Sequence, residues 1–402
     1  MKRGKSMQQI YLDNAATTPV RPEVEEAMQP YFGEKYGNPS GMYQMASESR
    51  EAIEKVRKQI GKTLGVSEEE IYFTSGGTES DNWAIKGTAQ LLKQKGKHII
   101  TSKIEHHAVL NSCLYLEKQG FEITYLDVDE RGTVQLESLE KAIREDTILV
   151  SVMYANNEVG TIQPIKQIGA ITKKHGIVFH TDAVQAYGQL PINVKEEYID
   201  LLSASAHKFN GPKGTGFLYV NKTIAFPAYI HGGKQENAHR AGTENVPGIV
   251  GMGKAAEIAF TAQKEREEKI QELREYLVER ILEEIPYCRL NGSYVRRLPG
   301  NCNISFQFIE GNELLLLLDE KNICASAASA CSTGDSSPSH VLTAMGVPEK
   351  LAHGTLRITI GYQNTQDEIN YAIKCIKESV KKLRENAGDY QRYKETFPCN
   401  IN

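Results

Sequence analysis

Short apolar runs of strand length alternate with helix-periodic segments along the first two thirds of the chain. That alternation restricts the fold more than any other feature, because strands joined by helical crossovers pair in parallel and bury both faces of their sheet. The strand-length runs fall at residues 71–74, 98–102, 123–127, 147–153, 177–180 and 217–220. Helical patterns occupy 47–64, the stretch from Thr78 onward, and 164–175. The class is therefore α/β, a mostly parallel sheet covered by helices. A long charged helix over 253–284 then ends the alternation and leads into a second domain from about residue 286. There, 303–308 and 355–360 read as strands and 366–385 as a helix, while 387–402 has no clear period and reads as a tail.

The chain has 402 residues, enough for two domains or one large domain with an appendage, and for a deep pocket kept dry. A net charge of −4 gives no reason to expect nucleic acid or an anionic membrane as a partner. No run approaches the roughly 18 apolar residues of a membrane span. Residues 1–6 are basic, with no apolar stretch after them, and Met7 is a candidate start, so a cytoplasmic location is expected. The seven cysteines are odd in number and form no CxxC pair, which argues against a disulfide framework or a structural zinc site.

Three segments carry chemistry. The first is Ser203-Ala-Ser-Ala-His-Lys208, followed by Phe-Asn-Gly-Pro-Lys213-Gly. Small residues around Lys208 leave room for a ring, and partial desolvation makes a lysine amine nucleophilic. A solvated lysine on a surface turn is the plain alternative, and Lys213 is the rival lysine. Asp182 stands 26 residues before Lys208, after an apolar run, where open parallel sheets bind ligands. A carboxylate there can pair with a protonated pyridine nitrogen. It can equally cap the next helix. The third segment, Thr74-Ser-Gly-Gly77-Thr78-Glu-Ser-Asp81, turns from strand to helix and offers backbone N–H groups to a phosphate or merely caps that helix. Glu105-His106-His107 and Asn156-Asn157-Glu158 lie at further strand ends. The adjacent histidines do not suggest a metal site, since neighbours on extended chain point to opposite faces.

Taken together these segments resemble the cysteine desulfurases, pyridoxal-phosphate (PLP) enzymes of aminotransferase fold. The resemblance begins with Tyr11-Leu-Asp-Asn-Ala-Ala-Thr-Thr-Pro19 and Tyr36-Gly-Asn-Pro-Ser40. It continues through the segments above to Arg240-Ala-Gly-Thr-Glu-Asn245, Ser329-Ala-Cys331-Ser, Pro338-Ser-His-Val-Leu342 and Leu356-Arg-Ile-Thr-Ile-Gly361. So many matches in order span nearly the whole chain. The resemblance implies a large domain over 20–260 with a mostly parallel seven-stranded sheet. It implies a smaller α+β domain made from 1–19 and 261–402, which carries a cysteine loop and the C-terminal tail.

The resemblance also implies roles. Lys208 would hold PLP, Asp182 would meet the pyridine nitrogen, and Gln185 and Asn157 would lie at the ring hydroxyl. His106 would stack on the ring and move protons. Gly77, Thr78, Ser205 and His207 would hold the phosphate, joined by Thr243 from a neighbouring subunit, which implies a homodimer. Arg357 and Asn38 would take the substrate carboxylate. Cys331 would accept sulfur from L-cysteine as a persulfide, release alanine, and pass the sulfur to an acceptor or iron–sulfur scaffold protein, contacting a cluster in transit but serving no resident metal. Cys331 sits among small residues from Cys324 to Asp335, a composition of loop rather than core, and Cys324 reads as structural. Tyr43, Lys234, Asn237, Asp335 and Tyr362 depart from the family pattern and bear on substrate preference and partner choice. A selenocysteine lyase, another PLP enzyme of this fold and an inactive sulfur-assembly scaffold are the alternatives.

Overall fold

The computed structural model describes residues 9–261, 263–327 and 338–396. Its centre is a seven-stranded sheet: β1 (Ile71–Thr74), β2 (His98–Ser102), β3 (Glu122–Leu126), β4 (Thr147–Ser151), β5 (Val178–Asp182), β6 (Leu201–Ser205) and β7 (Gly216–Val220). The spatial order is β1-β7-β6-β5-β4-β2-β3. The pairs β2–β3, β2–β4, β4–β5 and β5–β6 are parallel, and β7 runs antiparallel to both its neighbours. Every residue of β2, β4, β6 and β7 is buried. Helices cover both faces, which is why these strands read as apolar runs and not as an alternation. The helix Gln44–Leu64 shows the other period. It buries Ile53, Val56, Ile60 and Leu64 on one stripe and stops at Gly65, whose φ of +71° suits a residue without a side chain.

A second, four-stranded antiparallel sheet holds β8 (Cys288–Leu290), β9 (Asn301–Phe306), β10 (Ser326–Ala327) and β11 (Thr355–Thr359), in the order β10-β11-β9-β8. It has its own core of Leu12, Ile304, Phe306, Leu356, Ile358, Ile373 and Ile376. The chain start is woven into this unit: Ile10–Tyr11 pairs in parallel with Ile323–Cys324, and Asp13 bridges to Thr359. No helix among the described residues is long and apolar enough to cross a membrane.

One strand went unread and two sequence expectations are corrected. Leu201–Ser205 is a central strand, although only its chemistry drew attention. The helical stretch expected from Gly253 begins earlier, at Val246. The expected tail contains a helix, Gly388–Thr396. Its order comes from tertiary contact: Tyr390 and Tyr393 lie 5.4 and 5.3 Å, centroid to centroid, from Phe308. Two aromatics meeting a distant ring leave no periodic signal in sequence.

Candidate active site

The carboxyl ends of five central strands converge on one cavity of about 440 Å³. Asp182 is the last residue of β5, and its Oδ1 accepts from the Val184 amide at 2.9 Å. Burial raises its pKa, while His106, the Val184 amide and the Lys208 charge act against that rise. Lys208 follows β6 through a single 3-10 turn, and its Nζ lies 2.5 Å from the Ala15 carbonyl and 2.8 Å from that of Ala16. Gln185 Nε2 donates to the same Ala15 carbonyl at 2.9 Å. Lys213 is exposed and does not line this cavity, so of the two rival lysines Lys208 is the one that faces it.

His106 caps the helix His107–Glu117, its Nδ1 accepting from the Ala108 amide at 3.2 Å. That bond leaves the ring proton on Nε2. Burial lowers the His106 pKa, with Lys208, His107 and His340 adding to the effect and Asp182 opposing it. Its ring centroid is 6.4 Å from that of His107, and the two are tilted apart.

The opposite end of the cavity is a cradle. Gly76 has φ +144°, a conformation that side chains resist, and a Cβ on Gly77 would come within 2.5 Å of Val184 Cγ2. The helix Gly77–Leu92 starts here, so free backbone N–H groups and the positive dipole end face the cavity beside Thr78 and Ser205. His207 completes this end. Burial, then the Lys208 and Lys213 charges, push its pKa down to about 4, so its ring is neutral, and Nδ1 meets Thr17 Oγ1 at 3.1 Å. On the second sheet, Arg357 enters the cavity from β11, with Nη2 2.8 Å from Asp13 Oδ1 and Nη1 3.4 Å from the Asn157 carbonyl.

Sequence reading missed three parts of this site. Asp81 lies one turn into the Gly77–Leu92 helix and lines the cavity. Burial, then the nearby Asp182 carboxylate, raise its pKa well above the usual range. Ligand atoms of Asp81, His106 and Asp182 all lie within 4.8 Å of one another. The loop Asp13–Thr18 brings the Ala15 carbonyl to Lys208, held by the Ala15 amide and the Asn14 side chain on Thr359. Spacing of 193 residues between Ala15 and Lys208 hides that contact from sequence. Buried Glu105 braces the wall, its carboxylate taking the Met153 amide at 3.0 Å.

Asn38 and Thr243 are exposed and do not line the cavity of this single chain. Cys331 lies outside the described residues. Tyr362, one of the departures from the family pattern, stacks 3.7 Å beneath the Arg21 guanidinium.

The polar groups that remain suit a planar ligand with an anionic end. Among the described residues Arg357 Nε, a donor, and Asp81 Oδ1, an acceptor, are buried without a hydrogen-bond partner. The first N–H groups of the Gly77–Leu92 helix have no partner within that helix. An anion at the helix start, a lysine midway and a carboxylate at the far end are the requirements of a phosphorylated pyridine cofactor.

A parallel-rich sheet with this site at its strand ends defines an aminotransferase of class V, and the family described as Aminotransferase class-V matches residues 10–371. The chain belongs to that family, within its cysteine desulfurases. It is 56% identical over 375 residues to the cysteine desulfurase IscS of Methanosarcina thermophila, covering 93% of each chain. Among solved structures it is similar to a NifS-like protein, with a TM-score of 0.87 and 42% identity over 92% of this chain and 99% of the other. It is also similar to SspA in complex with cysteine, with a TM-score of 0.78 and 39% identity over 89% of this chain and all of the other (100%).

Proposed function

We propose that this protein removes sulfur from L-cysteine with the help of PLP, leaving alanine and a persulfide on Cys331. The observation that carries the reading is the convergence of Lys208, Asp182, the Gly76–Gly77 cradle and Arg357 on one cavity. Lys208 would hold the cofactor covalently, Asp182 would meet its ring nitrogen, Gln185 and Asn157 would lie at its hydroxyl, and Gly77, Thr78, Ser205 and His207 would hold its phosphate. Bound in this way, PLP supplies an electron sink for the carbon beside the substrate amino group.

The chain's own groups do the rest. Arg357, with Asn38, orients the substrate carboxylate, and a guanidinium suits that task because its N–H groups form a fork. Lys208 Nζ would exchange protons with the carbon next to the substrate amino group. His106 holds a proton at Nε2 and would move it within the cavity. The Cys331 thiolate attacks the substrate sulfur: a sulfur–sulfur bond forms, the carbon–sulfur bond breaks, and the electron pair remains with the carbon skeleton until it is protonated. One cysteine and one thiol become one alanine and one persulfide, so no outside oxidant is needed.

The chain divides, in this reading, into a large domain over 20–260 and a small one from 1–19 and 261–402. The separate cores of the two sheets and the pairing of Ile10–Tyr11 with Ile323–Cys324 support the division. The exposure of Thr243 is compatible with a phosphate contact made to a second subunit, and hence with a homodimer. The persulfide sulfur then passes to an acceptor or iron–sulfur scaffold protein.

The deciding experiment loads the purified protein with PLP, adds L-cysteine, and measures alanine and protein-bound persulfide in equal amounts. Selenocysteine is run beside it. Turnover of selenocysteine alone would make the protein a lyase for that substrate, and no alanine from either would leave a scaffold.

A further inference from the structure

Two described points bracket the segment that carries Cys331: Ala327 before it and Pro338 after it. The second point is tied to the active-site wall by contacts that none of the roles above requires. Ser339 caps the short helix His340–Ala344, its hydroxyl oxygen accepting from the amides of Val341 at 3.1 Å and Leu342 at 3.4 Å. The hydroxyl proton goes to Glu158 Oε2, 2.5 Å away. Glu158 is buried and follows Asn157 directly, and its carbonyl is held by the side-chain amides of Asn301 and Asn303. His340 Nε2 bonds the carbonyl of Glu105, the residue before His106, at 3.0 Å. Beneath them Val341, Leu342 and Met345 pack with Ile104, Met153 and Val159. The helix thus grips the chain immediately beside His106 and Asn157.

A helix cap needs only a hydroxyl. A carboxylate kept fully buried is costly unless something depends on its position. Burial raises the Glu158 carboxyl to about 7, against the Ser339 hydrogen bond and the Arg357 and His107 charges. No lysine or arginine makes an ion pair with it among the described residues.

We propose that Glu158, Ser339 and His340 form a clasp that sets where the Cys331 segment rejoins the active-site wall, which makes Glu158 and Ser339 positioning residues for sulfur transfer. Cys331 is eight residues before Ser339 in sequence, so the clasp is the described anchor that follows it most closely along the chain. Displacement by about 1 Å from the attacking geometry can cost on the order of a hundredfold in rate without touching binding. The inference rests on the desulfurase reading.

The test uses full-length, PLP-loaded Ser339→Ala, Ser339→Thr and Glu158→Gln. Cysteine affinity is read from the absorbance change that cysteine produces, and sulfur transfer from alanine formed in a single turnover. Ser339→Ala is expected to keep its colour and a cysteine affinity within about twofold of wild type, while alanine formation slows about tenfold or more. Ser339→Thr, which restores the hydroxyl, should recover most of that loss. Glu158→Gln, nearly isosteric, should slow alanine formation with colour retained, and it answers the question if Ser339→Ala does not fold. Wild-type rates in Ser339→Ala or Glu158→Gln overturn the clasp. So does a loss of turnover matched by an equal loss of colour or cysteine affinity, since the contact would then only hold the pocket together. Wild-type protein that yields no alanine from cysteine defeats the underlying reading, a result distinct from either.

Discussion

Arg357 Nη2 sits 2.8 Å from Asp13 Oδ1, so the guanidinium proposed for the substrate carboxylate already holds a carboxylate of the protein itself. Both side chains are largely buried, and Arg357 Nε has no hydrogen-bond partner among the described residues. A substrate carboxylate that takes two N–H groups must share or displace Asp13. Asp13→Asn removes the competing charge and is expected to tighten cysteine binding severalfold. Arg357→Lys loses the fork and is expected to weaken it about tenfold or more. Absorbance titration of the two variants with cysteine checks both, and weaker binding in Asp13→Asn would sink the idea of competition.

Lys208→Ala is expected to abolish the visible absorbance of the lysine-bound cofactor and all turnover. Lys213→Ala should keep both, because Lys213 is exposed and outside the cavity. Borohydride reduction followed by peptide mapping decides between them; a label on Lys213 would refute the assignment.

Asp182→Asn replaces a buried carboxylate at the end of β5 with a neutral amide and weakens the electron sink. The loss of one such charge interaction costs about 3 kcal/mol, roughly a hundredfold in rate. An unchanged rate of alanine release would remove Asp182 from the chemistry.

Cys331→Ser should still bind PLP and still change colour with cysteine, yet form almost no alanine, because a hydroxyl does not accept the sulfur. Cys324→Ser should stay active. The Cys324 thiol accepts from Gln9 Nε2 at 3.0 Å, is raised in pKa by burial, and lies off the cavity lining. If Cys324→Ser is the inactive variant, the sulfur acceptor is misassigned.

Two buried acids predict how stability varies with pH. Burial raises Glu158 to about 7 and Glu105 to about 8, from an ordinary 4.5. Between those values the native state keeps protons that the unfolded chain has released, so these groups stabilise the fold fully below about pH 4.5. That contribution is lost as pH rises through 7 and then 8. For Glu158 it is on the order of 3 kcal/mol. Melting temperature should fall from pH 5.5 toward pH 8.5, about these two transitions, and Glu158→Gln should flatten the slope. Parallel curves for variant and wild type would show that Glu158 does not titrate in this range.

Much of the site was legible in sequence because each piece is local. Asp182 ends a strand and Lys208, Gly77, Thr78 and His106 each follow one by a few residues, and a strand end followed by small or polar residues is a pattern visible in one window. The α/β class was legible for the same reason: buried parallel strands read as apolar runs and helices as stripes. What escaped was whatever depends on two distant segments meeting. Asp13 and the Ala15 carbonyl come from the chain start, yet touch Arg357 and Lys208 only because Ile10–Tyr11 joins a strand more than 300 residues later. Asp81 shows its neighbour Asp182 only once the helix is laid on the sheet.

The sequence by itself thus determined the class of fold, the order of its elements and the chemical identity of the groups at the strand ends, since all of these follow from short-range periodicity and residue type. Only the tertiary structure decided which of two lysines faces the cavity, that Asp13 occupies Arg357, that Glu158 takes the Ser339 hydroxyl, and that Gly388–Thr396 is a helix held against Phe308. Burial and distance between remote segments set these outcomes, and neither is a property of any stretch of chain taken alone.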